Sequence, residues 1–265
     1  MNNRPKISII TPTLNSEAFI SGNIKSILGQ TYSNIEHIII DGGSTDHTLQ
    51  IVRDLNPDAV AISEPDEGIA DAYNKGLRIA GGDLIAVLNS DDYYADDRVL
   101  ERVVDRFSSK PEITIVYGRV RVIDRRTRET LVVYGGPFSP KRLKKFTVSQ
   151  PGIFARREVF EAVGPFSLKY KICMDYDYFL RAASLFEPYF LDEILATMFW
   201  GGVSTRNIYL GHREAFHILR SHGVGAVSAT IHLFHGYFMT TLSLALQKIG
   251  LAGVVFFYRR KRGQL

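Results

Sequence analysis

Short apolar runs alternate with helix-period segments through the first hundred residues, and each run stops at a cluster of Gly, Ser, Thr, Pro or Asp. Ile7-Ser8-Ile9-Ile10 predicts a first strand, stopped by Thr11-Pro12-Thr13. Ser16 then caps a predicted helix with Phe19, Ile20, Ile24, Ile27 and Leu28 at helical spacing. A second strand spans 36–40, and Ser44-Thr45-Asp46 caps a helix running to about Leu55. Residues 59–63 predict a short strand. Residues 69 to about 80 predict a helix with Asp71 near its start and Arg78 near its end, as the helix dipole prefers. Gly81-Gly82-Asp83 turns the chain into a strand at 84–88. Apolar runs of this length, bounded by turn residues, read as strands buried on both faces. The β-α-β-α-β-α-β order predicts an α/β fold with a doubly wound, mostly parallel sheet.

The second half is less regular. Residues 113–116 and 118–123 predict two strands, Arg125-Arg126-Thr127-Arg128 a turn, and 131–134 a returning strand. A basic loop at 137–146 carries Lys141, Arg142, Lys144 and Lys145. Further on, 152–155 predicts a strand, 157–163 a helix ended by Gly164-Pro165, and 175 to about 185 another helix. Gly201-Gly202-Val203-Ser204-Thr205-Arg206 predicts a flexible closing loop. Residues 223–258 form an apolar helical tail in which Lys248 is the only Lys, Arg, Asp or Glu, and Arg259-Arg260-Lys261-Arg262 follows.

The 265 residues suit one large domain or one domain with a small appendage. The single cysteine, Cys173, excludes an intrachain disulfide and a cysteine metal cage. The N-terminus lacks the apolar core of a signal peptide. A net charge of +4 hides a split: residues 1–100 hold 15 carboxylates and 7 Lys/Arg, and residues 101–265 hold 13 and 25. The acidic half suits a metal site, and the basic half suits anions or a membrane surface. No nucleic-acid-binding module is legible, so nucleic acid is not an expected partner.

Asp41 follows the run at 38–40, and Asp91 and Asp92 follow the run at 84–88. Ligands of open α/β sheets sit outside the carboxyl ends of the strands. Carboxylates gathered there repel one another unless a cation lies between them. A divalent ion with a diphosphate answers this, since hard oxygen ligands suit magnesium and manganese.

Five segments carry a further signal: Ile9-Ile10-Thr11-Pro12-Thr13-Leu14-Asn15, Ile40-Asp41-Gly42-Gly43-Ser44-Thr45-Asp46, the stretch from Glu64 to Gly76, Leu88-Asn89-Ser90-Asp91-Asp92 and Met174-Asp175-Tyr176-Asp177. In this order and with these gaps they resemble the family 2 inverting glycosyltransferases of the GT-A fold, bacterial polysaccharide type, over roughly residues 6–205. The resemblance implies transfer of one sugar from a nucleotide diphosphate sugar to a hydroxyl of a saccharide or lipid-linked saccharide, with inversion and with Mn2+ or Mg2+. It implies a domain at 1–222, with a nucleotide-sugar half (1–100) and an acceptor half (101–222), before the tail at 223–265. The Gln-x-x-Arg-Trp signature of processive synthases is absent, which argues for adding a single sugar.

The family's Asp-x-Asp motif falls on Asn89-Ser90-Asp91, which makes Asp91 the expected metal ligand and places Asn89 and Ser90 beside the donor. The first acid of the motif is an amide here, which weakens the local negative charge. By resemblance Asp41 recognises the base, uracil being favoured, and Thr11, Pro12 and Thr13 line the same pocket. Glu17 is a candidate ribose or base contact. Asp71 and Lys75 lie on a helix facing the sugar nucleotide, or form a plain i,i+4 ion pair. Asp46 reads as the cap partner of its own helix. The family's Glu-Asp pair aligns with Met174-Asp175, so Asp175 is the expected general base, while Asp177 and Arg181 form a helix ion pair.

The tail is expected to lie on a membrane surface as an interfacial helix pair, to span, or to serve a buried or dimerising role. An enzyme of this kind is expected in the cytoplasm, peripheral on the inner face of the plasma membrane. Two other readings remain: an inactive nucleotide-sugar-binding scaffold of the same fold, and a metal-dependent nucleotidyltransferase.

Overall fold

The computed structural model describes residues 4–139 and 150–248. The first half alternates as its pattern predicts: β1 (Ile7–Thr13), α1 (Ile20–Leu28), β2 (Ile35–Asp41), α2 (Thr48–Leu55), β3 (Val60–Ser63), α3 (Ile69–Ile79) and β4 (Leu84–Val87). These four strands lie parallel in the order β3-β2-β1-β4. Their register aligns Thr13 with Asp41 and Asp41 with Ser63, so the carboxyl ends of β1, β2 and β3 form one edge.

The runs of β1, β2 and β4 are largely apolar because both faces are covered, whereas Val60 and Ala61 of the edge strand β3 are exposed. Ile10, Ile38, Ile40, Ile85 and Val87 pack on one face with Tyr73 of α3, while Ile7, Ile9, Leu84, Ala86 and Leu88 pack on the other. That second face meets Val99, Val103 and Phe107 of α4 (Val99–Ser109). Gly76 lets α3 lie close to β1, since a Cβ there would overlap the Ile10 side chain.

Beyond β4 the sheet becomes mixed. β5 (Tyr93–Tyr94), β6 (Ile115–Ile123), β7 (Thr130–Tyr134), β8 (Ile153–Arg156) and β9 (Tyr189–Phe199) extend it in the order β4-β8-β6-β9-β5, with β7 on β6. β8 runs antiparallel to both β4 and β6, and β9 runs parallel to β6. The strands expected at 113–116 and 118–123 are one strand. Gly118, the first residue of the second expected strand, lies inside this one and admits β9, because a Cβ there would meet Leu195 and the Glu193 carbonyl.

Helices α5 (Arg157–Val163) and α6 (Met174–Leu185) follow the expected positions. The loop expected at 201–206 contains a short helix, α7 (Val203–Arg206). α8 (Ile208–Ser221) and α9 (Ala226–Lys248) close the described chain as a packed pair. Between them, Val224 N–H bonds to the Leu219 carbonyl and Gly223 N–H to the Arg220 carbonyl, with Gly223 at φ 79°. This paired closure with a left-handed glycine ends α8 where the tail was expected to begin. Most of the expected basic loop and the tail beyond 248 lie outside the described residues.

Candidate active site

The edge where β1, β2 and β3 end is built around Asp41, which is fully buried. Its Oδ2 accepts from Gly43 N (3.1 Å), Ser44 N (2.9 Å) and Ser63 Oγ (2.6 Å), and its Oδ1 accepts from Ser44 Oγ. Three of these bonds fall on Oδ2 and one on Oδ1, so Asp41 shapes the Gly42–Ser44 turn chiefly through Oδ2, while Oδ1 keeps a lone pair. Asn15, at φ 47°, takes Thr45 N–H on its Oδ1 (2.9 Å). Asp46 accepts from Thr48 N (2.9 Å) at the start of α2, as expected of a cap partner. Glu17 accepts from His47 N and Nδ1 (3.0 and 2.9 Å), bonds that hold its carboxyl below the usual range.

The expected cap at Ser16 takes another form. α1 starts at Ile20 without a side-chain cap, and the Ser16 hydroxyl instead pairs with that of Ser90 (2.9 Å). This ties the end of β1 to the loop after β4. A buried polar chain reinforces the tie. Asn56 Nδ2 donates to His37 Nδ1 (3.0 Å), so the proton sits on Nε2, which donates to Thr11 Oγ1 (3.0 Å). Burial lowers the His37 imidazole to about 4, keeping it neutral. Thr11 approaches Asn23 Oδ1 at 3.5 Å, and Asn23 Nδ2 donates to the carbonyls of Asn89 (2.9 Å) and Asp92 (3.0 Å). Thr11 therefore supports the site from beneath. Pro12 and Thr13 are also buried, and the Thr13 hydroxyl has no hydrogen-bond partner among the described residues.

Residues 89–92 form the centre of the edge. Asn89 accepts from the Tyr73 hydroxyl (2.8 Å) and donates to Asp92 Oδ2 (3.0 Å). Asp92 is buried, and burial and then the Asp91 charge raise its carboxyl well above the usual range. Asp91 is a third exposed, and burial raises it too. Neither caps α4, whose start is served by Asp96 accepting from Arg98 N (2.9 Å). Arg125, at the β6–β7 turn, stands 3.7 Å from Asp91 Oδ2, its guanidinium 4.2 Å from the Phe19 ring centroid. Gly202 borders the same oxygen.

Lys75 sits among Glu64 (2.9 Å), Asp71 (3.5 Å) and the Pro65 carbonyl (2.7 Å). The i,i+4 pair is therefore formed, at the carboxyl end of β3.

Asp175 lies in the first turn of α6, its Oδ1 accepting from Tyr176 N (2.8 Å). Burial chiefly, with a contribution from the Glu214 charge, raises its carboxyl to about 6. Glu214 of α8 is itself buried. Its Oε1 accepts from Lys171 N and its Oε2 from Ile172 N and Cys173 N, all at 2.8 Å. Three backbone donors on one carboxylate fix the segment that delivers Asp175. Lys171 Nζ also reaches the Glu67 carbonyl (2.7 Å), joining that segment to the start of α3. Asp177 pairs with Arg181 (2.9 Å) as expected.

Tyr73 marks where these parts converge. Burial, then the charges of Asp175, Asp92 and Asp91, push its phenol well above the usual range. The charges of carboxylates from the loop after β4 and from α6 thus both act on one buried hydroxyl. Tyr73, Asn23, His37, Glu214 and Arg125 have no role in the sequence reading. Only Tyr73 lies in one of its motif segments, and Arg125 reads there as a turn residue.

A family model described as glycosyl transferase family 2 matches residues 8–164. A PGL/p-HBAD biosynthesis glycosyltransferase of Mycobacterium bovis is 34% identical over 185 residues, covering 68% of this chain and 70% of that one. An uncharacterised glycosyltransferase of Mycobacterium tuberculosis is 31% identical over 225 residues, covering 81% and 80%. Among solved structures, the mannosyltransferase PcManGT of Pyrobaculum calidifontis, in complex with GDP-Man and Mn2+, aligns at TM-score 0.64 with 17% identity over 99% of this chain and 84% of that one. S. aureus TarS 1–349 in complex with UDP-GlcNAc aligns at 0.63 with 19% identity over 86% and 70%. These two show a shared fold. With the family model covering more than half of its length, the chain belongs to glycosyl transferase family 2 and is a glycosyltransferase of GT-A type.

Proposed function

We propose that the chain transfers one sugar, with inversion, from a nucleotide diphosphate sugar to a hydroxyl of a saccharide or lipid-linked saccharide acceptor. The observation that supports this reading is the Asp175 carboxyl raised to about 6 in the first turn of α6, with its charge and that of Asp91 both felt at the Tyr73 hydroxyl. A carboxylate of that pKa is ionised at neutral pH yet basic enough to take a proton from an acceptor hydroxyl. Attack then comes from the face opposite the diphosphate, and Asp175 holds the proton released.

The residues about Asp91 fit a divalent cation bound with the donor. No group of three or more His, Cys, Asp or Glu among the described residues forms a metal cage. Asp91 is a partly exposed carboxylate whose one ion pair among the described residues is with Arg125 at 3.7 Å. One carboxylate with substrate phosphates is a common way to hold Mg2+ or Mn2+. Such an ion supplies charge neutralisation of the leaving diphosphate, so no protein acid need protonate it.

Asn89, Ser90, Asp71, Lys75 and Glu17 line the donor side of this reading. The Asp41 turn, with Pro12 and Thr13, frames the base pocket. UDP-sugars are the favoured donors, and the two solved relatives bind UDP-GlcNAc and GDP-Man. The enzyme would work at the cytoplasmic face of the plasma membrane, where nucleotide sugars are made. A panel of nucleotide diphosphate sugars with manganese tests the reading: hydrolysis of at least one donor, lost in Asp175→Asn, supports it. Tight donor binding without turnover on any donor or acceptor would leave a scaffold.

A further inference from the structure

Helix α9 is turned inside out for a helix facing water. Its inner face on α8 carries small and polar residues. Ala229, Thr240 and Ser243 are buried, His212 Nε2 bonds to Thr240 Oγ1 (2.9 Å), and a Cβ on Gly236 would come within 2.7 Å of the His212 ring. Its outer face carries Val227 at 75% exposure, Ile231, Phe234 and Phe238 at 64% each, and Leu242 at 40%. Steps of four, three, four and four put all five on one stripe. Amphipathic surface helices direct such a stripe to the core, and a contiguous exposed one marks an interaction surface.

The chain segment that carries the stripe has nearly a single sign of charge. From 203 to 265 the only acid is Glu214, against eight Lys and Arg. Glu214 is buried on the backbone of 171–173, whereas Arg206, Arg213 and Arg220 are exposed. Arg259 to Arg262 follow in the sequence. Two copies meeting through this face would bring like charges together, so self-association is opposed. An anionic plane satisfies both features at once. No described helix is long and apolar enough to cross a membrane.

We propose that the outer face of α9 seats on an anionic lipid surface, with the helix lying in the headgroup plane and the arginines of α7 and α8 on lipid phosphates. This seat rests on the glycosyl-transfer reading only in its consequence, which is to hold Asp175 near a lipid-linked acceptor. Apolar insertion supplies affinity and the arginines supply selectivity for negative charge.

The test uses the full chain with vesicles of phosphatidylcholine alone and of phosphatidylcholine with phosphatidylglycerol, read by co-sedimentation. The expected result is binding to the anionic vesicles only, weakened by salt. The exposed pair Phe234→Ser with Phe238→Ser should weaken it about tenfold or more, and Arg206→Gln with Arg213→Gln should weaken it by several fold. Donor hydrolysis should be unchanged in both variants. The proposal is overturned if the full chain binds neither vesicle or if both variants bind like wild type. It is also overturned if size exclusion shows a dimer that the Phe variant converts to monomer. A wild-type chain that binds vesicles but turns over no donor would count against glycosyl transfer and leave the seat standing.

Discussion

As the proposed general base, Asp175 would carry opposed demands of stability and function. Its carboxyl is raised to about 6, chiefly by burial, so the folded chain binds this proton more tightly than the unfolded chain does. The stability this group contributes is full below about pH 4 and is lost as pH rises through about 6. Asp175→Asn should therefore raise stability by about 1–3 kcal/mol at pH 8, with the gain vanishing near pH 4. Denaturant melts at the two pH values measure it, and a gain independent of pH would refute the assignment. The same variant should lower kcat by roughly 10²–10⁴-fold while the donor KM stays near wild type. In the wild type the acid limb of kcat should fall near pH 6. Glu214 acts through Asp175 by holding the Lys171, Ile172 and Cys173 amides. Glu214→Gln removes acceptor capacity and a neighbouring negative charge. We expect a loss of about tenfold or more in kcat and a shift of the acid limb to lower pH. A merely structural role would lower melting temperature without moving that limb.

At the scale of elements, the parallel half was legible because its runs are continuous and its turn residues are dense. β1 to β4 and α1 to α3 fall within a few residues of expectation. What escaped was built by contacts distant in sequence. β9 lacks punctuation, and Asp192 and Glu193 interrupt its apolar residues, so nothing local marks it as the strand beside β6. α8 buries Ile218 and Leu219 but also Glu214, and a buried charge breaks the apolar period that reveals a helix. At the site, the motif segments that hold Asp91 and Asp175 were legible, while the roles of the two acids are proposed. The internal commitments of Asp41 and Thr11 were not legible, because a motif names a residue type and not the donors that fill it. Gly76 offers an element-level test. α3 approaches β1 through it, and Ile10 is buried on the other side. Gly76→Ala adds a methyl to a filled space and should cost about 1–3 kcal/mol. An unchanged denaturation midpoint would show that the helix can shift without loss.

Across the whole molecule, the charge split of the sequence reaches the strand edge. The acidic first half gathers Asp91 and Asp92 at the strand edge, where burial raises both carboxyls, so their joint ionisation is opposed. Among the described residues, the basic second half answers at Asp91 with Arg125, on a turn between two strands of the sheet extension. A partly exposed guanidinium at 3.7 Å is weak compensation. The remaining imbalance favours a divalent cation arriving with the diphosphate. UDP affinity should therefore rise with manganese or magnesium and fall when EDTA removes the ion. Asp91→Ala should abolish the gain from metal, leaving a weak affinity indifferent to EDTA. Calorimetry of wild type and variant, each with metal and with EDTA, gives the four affinities needed. If the wild type binds UDP equally well in both conditions, the cation has no part in donor binding. Arg125 would then be the charge that meets the diphosphate, and Arg125→Ala would be the variant that loses it.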